Sequence, residues 1–523
     1  MHDESSSQGS AAKLSFARWL VRWWGALPSE GLLSVLMLVL LALATASFLI
    51  YEKGVAHTFG MPLDGGWLDL AVGRSLFSSS VHPAASASES PGYALFLGAL
   101  DALARQDTAQ VVLAAKLLSL VALSLVGWGC LKLVRAIPGT GPFALLGIAL
   151  MLPLSPTLVW MGVSGAGLAW GVALVTLGLV AFAYSRPIKG TLFMGLSLWA
   201  TPGALVVLLG TFVATRERWG ARALAAAVFL LPYAAWNLFV SGWSSPFPGG
   251  AFEFPSFWGW TVWMRHYLRL IGLTFVGGAH PMLLAAFAAL GVWRVRRNGR
   301  LLWLAAVLPA LVLGFLLPEP GVFGRLLFVS LPAIFVLAAV GVEYVAAQVT
   351  TGFLSGGRLA LVLLAFYMLI SGPSLWQMRC LSAWQVENTV QVGEKAGVWL
   401  AEHALRGEVI VTTAPGAISY FSGHPVLDLT RRPIRRLPLE QVLESVRAPW
   451  VALNIGGVLP AVLRERYTAE TSVSFRVHAG VYPPGPFVVF RRTYGQSYAS
   501  YLPSVRERST VRSTLRELSS ASR

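Results

Sequence analysis

Charged residues are scarce in this sequence of 523 amino acids, and cysteines are almost absent. Asp, Glu, Lys and Arg make up 12% of the chain, against roughly 25% in ordinary soluble domains, which excludes a soluble globular enzyme and a disordered protein. Cys130 and Cys380 are too few for a disulfide scaffold or a cysteine-ligated zinc domain. Hydrophobic residues make up 55% of the chain. The composition therefore predicts a polytopic α-helical membrane protein with room for one soluble domain.

Several apolar runs are long enough, or nearly so, to cross a hydrocarbon core that needs about 20 helical residues. Residues 31–50 form the first run. A signal peptide is the competing interpretation, but the run is longer than the usual apolar segment of about 7–15 residues, so we predict an uncleaved span. Further runs lie near 111–134, 141–158, 166–184, 190–214, 222–240, 271–293, 301–317, 326–346 and 358–376.

Basic residues between the runs predict the orientation, because Lys and Arg accumulate in cytoplasmic loops. The basic tail 1–30 predicts a cytoplasmic N-terminus. A single crossing by 190–214 would put its two flanking basic clusters on opposite sides, and a Thr-Pro-Gly break interrupts it at 201–203. We therefore predict a hairpin of two half-helices there. The stretch 91–104 contains Asp101, is too short to cross, and is predicted to be an interfacial helix.

These assignments predict a multi-pass protein of the cytoplasmic (inner) membrane with about eleven crossings. Its parts are a cytoplasmic tail 1–30, a membrane domain 31–376 with large outer loops 51–110 and 241–270, an extracytoplasmic α/β domain 377–495, and a disordered Ser/Arg-rich tail 496–523. Alternating apolar residues in the α/β domain predict strands near 408–413, 425–428, 450–455, 473–478 and 487–491, and helices near 391–404 and 439–446.

Ionisable residues are rare inside the predicted spans, where Lys116 and Glu343 are exceptions close to predicted ends. Transporters usually hold polar residues near the bilayer midplane, so this pattern favours a site at the outer surface over a translocation pathway. The sequence contains no Walker A, dinucleotide-binding or zinc-ligand spacing. Its net charge of +16 requires no nucleic-acid partner, because cytoplasmic loops and the C-terminal tail carry much of it.

Asp64 lies about fourteen residues after the first predicted span and is followed by Gly65, Gly66 and Trp67. A carboxylate at the membrane surface can act as a general base, and the two glycines would let a substrate approach closely. Asp64 could equally cap the helix that starts near Trp67. Spacing alone favours the cap, and the two roles are compatible.

The segments around Asp64 resemble those of GT-C fold glycosyltransferases that use polyprenyl-phosphate sugars, such as bacterial glycosyltransferase family 39 and mannosyltransferases. Asp64 to Leu76 followed by Ser90-Pro91-Gly92-Tyr93 resembles their first outer loop. Asp64-Gly65-Gly66-Trp67 is also similar to a motif of glycosylphosphatidylinositol mannosyltransferases. Further similar segments are Pro246-Phe247-Pro248, Gly324-Arg325-Leu326-Leu327-Phe328-Val329-Ser330-Leu331-Pro332, Val398-Trp399-Leu400, the run 416–423, and Val426-Leu427-Asp428.

The sequence departs from these relatives at three polar positions. Many relatives carry a second acidic residue where this chain has Gly65, a Glu within the segment matching 164–167, and a Glu within the segment matching 201–204. The missing carboxylates weaken a metal-dependent variant, since a divalent cation prefers several oxygen ligands. A divalent metal is therefore possible but not favoured, and a catalytically inactive member stays open.

The resemblance implies transfer of a sugar from a polyprenyl-phosphate carrier to a hydroxyl of a glycan, lipid or protein acceptor at the outer face, with Asp64 as general base. Arg325 is the preferred phosphate ligand, because an Arg fork binds phosphate in a bidentate manner. The remaining substrate-binding candidates are Trp67, Arg74, Glu89, Arg265, His266 and Arg269. Contact with lipid headgroups competes for the cations, and a solvated loop charge competes for Glu89.

Two other functions stay open. A flippase or transporter for lipid-linked saccharides would place charges deep in several spans, and those are scarce here. A non-catalytic GT-C-like scaffold in envelope polysaccharide assembly is favoured by the three missing polar positions.

The predicted topology can be tested with a reporter fused after residue 380. We expect the reporter to be extracytoplasmic, because an odd number of crossings precedes it. A cytoplasmic readout would contradict this count and show that either the hairpin at 190–214 or the interfacial helix at 91–104 is misassigned.

Overall fold

The computed structural model describes residues 30–77, 90–104, 107–240, 279–296, 299–316, 327–348, 356–429, 438–455, 459–475 and 485–493. Several sequence-based assignments lie outside these ranges, namely most of the tail 1–30, the outer loop 241–270 and the tail 496–523.

Helices make up the first three quarters of the described chain. They are α1 (Glu30–Ala56), α2 (Asp64–Phe77), α3 (Pro91–Leu103), α4 (Thr108–Ala136), α5 (Pro142–Met151), α6 (Pro156–Val163), α7 (Leu168–Ala183), α8 (Pro187–Ser197), α9 (Ala204–Ala214), α10 (Trp219–Val240), α11 (Ala279–Val295), α12 (Arg300–Leu316), a 3₁₀ turn (Leu327–Ser330), α13 (Leu331–Gln348) and α14 (Gly356–Gln391). A π-helical turn (Val392–Gly397) and α15 (Val398–His403) continue α14.

Within the described ranges, five helices are long and apolar enough to cross a membrane, or six if one bent pair counts as a single span. They are Gly31–Ala56, Thr108–Ala136, Trp219–Leu238, Phe328–Gln348 and Gly356–His403. Shorter apolar helices pack between them. The chain is therefore a polytopic helical membrane protein, while the number of eleven crossings stays a prediction.

Two apolar runs are broken in the structure. The expected single run 141–158 forms α5 and α6, which are bent by 51° where proline removes backbone donors. Ser155 accepts a hydrogen bond from the N–H of Leu158 and so caps α6. The run 190–214 is interrupted between α8 and α9, as the Thr-Pro-Gly sequence predicts. The outward direction of this hairpin stays a prediction.

The end of the helical region differs from expectation. We predicted a separate helix near 391–404, but one helix of 48 residues runs from Gly356 to His403. Gly393 and Gly397 lie in its π-helical turn, where an added Cβ would meet the ring or Cβ of Phe421. The long helix therefore continues directly into the part of the chain that forms the sheet.

A five-stranded sheet in the order β2-β1-β3-β5-β4 follows. Its elements are β1 (Ile410–Thr412), α16 (Pro415–Ser422), β2 (Val426–Asp428), α17 (Leu439–Val446), β3 (Trp450–Asn454), α18 (Ala461–Arg466), β4 (Tyr467–Val473) and β5 (Phe487–Arg492). Strand β1 is parallel to β2 and β3, and β5 is antiparallel to β3 and β4. We call residues 410–492 the sheet unit.

The two faces of the sheet are buried in different cores. Ile410, Ala452 and Val489 pack with the helices around Asp64, and Val411 and Val451 pack against α17 and α18. This alternation is the period of two expected for strands covered on both faces. The strand expected near 473–478 is instead β4, an edge strand whose polar middle gives little apolar signal.

Arg222 follows the run 190–214 and is fully buried in α10. Its guanidinium donates to the hydroxyls of Thr191, Thr211 and Thr215. Hydrogen bonds donated to neighbouring hydroxyls thus allow this charged group to be buried among helices.

Close approach of α11 and α13 depends on two glycines. A Cβ on Gly291 would lie 1.9 Å from the carbonyl oxygen of Leu337, and a Cβ on Gly341 would lie 1.9 Å from that of Phe287. We expect Gly341→Ala to destabilise the protein by about 1–3 kcal/mol through overpacking, measured as a lower Tm in detergent. Gly54→Ala is the control, because nothing lies within 4 Å of its Cβ position. Equal Tm values for both variants would contradict this packing.

Candidate functional site

Asp64 is the first residue of α2 and is half-buried. Its Oδ2 accepts a hydrogen bond of 2.8 Å from the N–H of Gly416, and its Oδ1 accepts one of 2.9 Å from the N–H of Ala417. Both donors belong to the first turn of α16, where helical N–H groups lack partners within the helix. Asp64 therefore caps α16 of the sheet unit. The helix that spacing favoured as its partner, expected to start near Trp67, begins at Asp64 itself.

Residue types at the start of α16 fit this arrangement. The N-cap residue of α16, Ala414, has no side chain that could cap the helix. A Cβ on Gly416 would lie 1.9 Å from the carbonyl oxygen of Asp64 and 2.6 Å from the N–H nitrogen of Leu68. The absence of side-chain atoms at 416 lets the two backbones meet, and the helix dipole favours the carboxylate at that end.

Trp67 lies one turn after Asp64 and is fully buried. Its ring centroid is 5.3 Å from that of Tyr420 and 5.1 Å from that of Phe421, both in α16. The indole N–H of Trp67 and the hydroxyl of Ser419 are buried without a hydrogen-bond partner. Trp67 therefore packs against the sheet unit in this arrangement, and its proposed contact with a sugar stays a prediction.

Arg74 also faces α16. Its Nε and Nη2 each donate to the carboxylate of Asp101 at 2.7 Å, and Nη2 also donates to the hydroxyl of Tyr420. The guanidinium carbon lies 4.0 Å from the centroid of the Tyr420 ring. The Arg74 and Asp101 side chains are only 16% and 3% exposed. These contacts engage Arg74 within the protein, which argues against its expected role as a phosphate ligand.

Tyr420 links this ion pair to a further helix. Its hydroxyl lies 2.9 Å from Oγ1 of Thr108, the first residue of α4. Burial raises the pKa of Tyr420 to about 12, although the nearby Arg74 lowers it in part. Tyr420 therefore stays protonated at neutral pH and can donate a hydrogen bond within this network.

The segment 90–93 connects to the regions where the sequence lacks the carboxylates of its relatives. The Tyr93 hydroxyl donates to the carbonyl of Gly165 at 2.7 Å. The Ser90 hydroxyl donates to the carbonyl of Ala200 at 3.0 Å. The start of α3 thus contacts the segment 164–167 and the residue next to 201–204. Two of the three positions where this sequence lacks a carboxylate of its relatives therefore lie near the same helix end.

Buried side chains of neighbouring helices hold the loop between α1 and α2, which leads to Asp64, by hydrogen bonds. Glu52 accepts a 2.6 Å hydrogen bond from Lys116, and both side chains are buried. Glu52 also accepts a bond of 3.2 Å from the N–H of Gly60. On the other side, the Thr389 hydroxyl donates to the carbonyl of Met61 at 2.7 Å. The sequence analysis did not identify Glu52 as part of this site, because the apolar run ends at 50 while the helix continues to Ala56.

The remaining predicted ligands, Glu89, Arg265, His266, Arg269 and Arg325, lie outside the described residues. Among the residues that the structure does describe, no three His, Cys, Asp or Glu side chains form a group that could hold a metal ion. Along α2 the structure therefore brings Asp64 to Gly416, Trp67 to Tyr420, and Arg74 to both Asp101 and Tyr420.

Comparisons with known proteins add the following. A profile described as "Domain of unknown function (DUF8728)" matches residues 378–454, from the C-terminal part of α14 to β3. No curated protein matches.

Among solved structures, the oligosaccharyltransferase of Archaeoglobus fulgidus is similar with a TM-score of 0.51 and 10% identity, over 80% of this chain and 69% of that one. The chain has the GT-C fold. Apo ArnT from Cupriavidus metallidurans is similar at a TM-score of 0.46 and 14% identity, over 86% of this chain and 97% of that one. Its complex with undecaprenyl phosphate gives the same TM-score and identity over 89% and 99%. The fold assignment depends on the archaeal structure.

The Arg74–Asp101 pair can be tested by removing one charge. We expect Asp101→Asn to lower the free energy of unfolding by about 3–5 kcal/mol, because it leaves a largely buried cation without its carboxylate. The measurement is the Tm in detergent. Glu444→Gln is the matched control, since the Glu444–Arg466 pair is exposed and should leave Tm unchanged. Similar Tm values for the two variants would show that the pair does not secure this site.

Proposed function

We propose that this protein is an integral-membrane glycosyltransferase that moves a sugar from a polyprenyl-phosphate carrier to an acceptor hydroxyl at the outer face of the membrane. The observation that carries the proposal is a carboxylate, Asp64, held by two N–H groups where the helical bundle of a GT-C fold meets the sheet unit. The archaeal structure of similar fold was also solved with a dolichol-phosphate and an inhibitory peptide, which supports a lipid phosphate and an acceptor as partners.

In the proposed reaction, Asp64 accepts the proton of the acceptor hydroxyl while the hydroxyl oxygen attacks the anomeric carbon. The bond from that carbon to the phosphate oxygen breaks, and polyprenyl phosphate leaves with the bonding electrons. An ionised carboxylate offers about four lone-pair sites, so two N–H bonds are compatible with this role. Those bonds keep the carboxylate in one orientation, which favours proton transfer in a fixed geometry.

Arg325 remains the preferred ligand for the leaving phosphate, with Arg265, His266 and Arg269 as further candidates and Glu89 as a contact to sugar or acceptor hydroxyls. Trp67 and Arg74 are assigned a positioning role, because both contact α16. The specificity proposed from sequence is that of family 39 or mannosyltransferase-like enzymes, with a glycan, lipid or protein acceptor and no nucleic acid. A divalent metal is possible in this reaction but not favoured.

The proposed location is the inner membrane, with the N-terminus in the cytoplasm and the sheet unit outside. This orientation follows from the basic clusters of the sequence. It places Asp64 and the sheet unit on the side where a polyprenyl-phosphate sugar would be used.

A non-catalytic scaffold is the second candidate. One observation favours it: Asp64, Trp67 and Arg74 all contact the same short helix, α16. The segments around 165 and 202 also lack the carboxylates that many relatives carry there. Under this alternative the Asp64 contact is purely structural.

Transfer can be measured as release of polyprenyl phosphate from a panel of polyprenyl-phosphate sugars. The protein would be placed in liposomes with an envelope-lipid extract as acceptor. We expect Asp64→Asn to slow release by about 10²–10⁴-fold, the usual contribution of a general base. Asp107→Asn is the control, because Asn caps α4 as well as Asp does and the residue is exposed.

Each outcome separates the alternatives. Release by the native protein and by Asp107→Asn, but not by Asp64→Asn, would support the mechanism and name the sugar. Equal release by Asp64→Asn would remove Asp64 as base. No release by any variant, with lipid still bound, would favour the scaffold.

A further inference from the structure

A positively charged site separate from Asp64 lies where α1 and α14 leave the hydrocarbon core. Arg379 of α14 contacts Ser47 and Tyr51 of α1. At about 1.5 Å per residue, Ser47 and Tyr51 are roughly 26 and 32 Å from the start of α1. The hydrocarbon core is about 30 Å thick, so both residues lie at its far boundary, which is the outer one in the proposed orientation.

The guanidinium of Arg379 contacts two neighbouring aromatic rings. Its central carbon is 3.9 Å from the centroid of Trp376 and 4.6 Å from that of Tyr51. Nη1 donates to the hydroxyl of Ser47 at 2.9 Å, and Nε is buried without a partner. Both rings stabilise the positive charge by cation–π contact. We call Ser47, Tyr51, Trp376 and Arg379 the Arg379 box.

The charge of the box is not neutralised by a carboxylate among the described residues. The acidic residue closest in sequence to Tyr51 is Glu52, whose oxygens bind Lys116 and the N–H of Gly60. A guanidinium at a low-dielectric boundary is stabilised by a counter-charge. Arg379 therefore needs a negatively charged partner that the described part of the chain does not supply.

The surroundings of the box show where a counter-charge can come from. Trp376 is 58% exposed, and Ile50, beside Tyr51 in α1, is 74% exposed. Exposed apolar side chains at this level belong to the lipid-facing perimeter of a membrane protein. A ligand reaching Arg379 from this side arrives within the plane of the bilayer, and the anionic group found at this depth is a lipid phosphate.

We propose that the Arg379 box is a binding site for the phosphate of an anionic phospholipid of the surrounding leaflet. The phosphate accepts hydrogen bonds from the edge of the guanidinium, and the acyl chains lie along Ile50 and Trp376. Because the box is on the perimeter, any bilayer lipid can reach it, which favours an abundant phospholipid over the polyprenyl carrier. This site does not depend on the transferase activity proposed above.

The test is native mass spectrometry of the delipidated full-length protein with added phosphatidylglycerol. We expect Arg379→Gln to weaken the apparent affinity for the first bound lipid by about fivefold, because the phosphate loses its charge-assisted hydrogen bonds. Lys53→Gln is the matched control: Lys53 is an exposed cation two residues from Tyr51 and lies over the Phe59 ring, outside the box. It should change the affinity little. Phosphatidylcholine carries the same phosphate with an opposing choline charge, so it should bind more weakly and lose less affinity in Arg379→Gln.

A second variant guards against misfolding of Arg379→Gln. Trp376→Leu keeps the charge and an apolar surface but removes one ring, and we expect a smaller loss of phosphatidylglycerol binding. Equal binding by the native protein, Arg379→Gln and Trp376→Leu would overturn the proposal, as would an equal loss in Lys53→Gln. Undecaprenyl phosphate that binds more tightly than phosphatidylglycerol through Arg379 would overturn the phospholipid assignment.

Discussion

The carboxylate of Asp64 and the first N–H groups of α16 join two parts of the chain that are about 350 residues apart. On one side is the helical bundle, and on the other is a sheet unit whose strands have their own core. The contact combines a negative charge at a helix N-terminus with a glycine that lets two backbones touch. Without it, α16 would have polar backbone groups at its start with no capping side chain of its own.

Other contacts fix α2 and the loop before it. Arg74, Asp101, Tyr420 and Thr108 connect α2, α3, α16 and α4 through one network. Glu52 and Thr389 hold the loop that leads to Asp64. A functional carboxylate works best when its neighbours are fixed by packing and hydrogen bonds, and this one is positioned by helices and not by a mobile loop. The same rigidity would serve a scaffold, so activity has to be measured directly.

Much of the helical architecture could be predicted from the sequence, because long apolar runs have few other stable structures in a membrane. The GT-C fold was expected from short segments around Asp64, and the break at 201–203 from its proline and glycine. The partner of Asp64 could not be predicted, since backbone N–H groups leave no mark in a sequence. Arg74 and Asp101 were both visible as charges, but only the packing of α2 on α3 pairs them. Glu52 was missed because hydropathy ended the first span before the helix itself ends.

The long helix from Gly356 to His403, which contains Pro373 and a π-helical turn, has a mechanical consequence. At about 1.5 Å per residue it is a rod of about 72 Å, so a tilt of about 5° moves one end by about 6 Å relative to the other. Transmembrane helices tilt when bilayer thickness changes. The rod would act as a lever that converts bilayer thickness into force on the contact between α16 and Asp64, so the lipid composition of the membrane would bear directly on the geometry of that carboxylate.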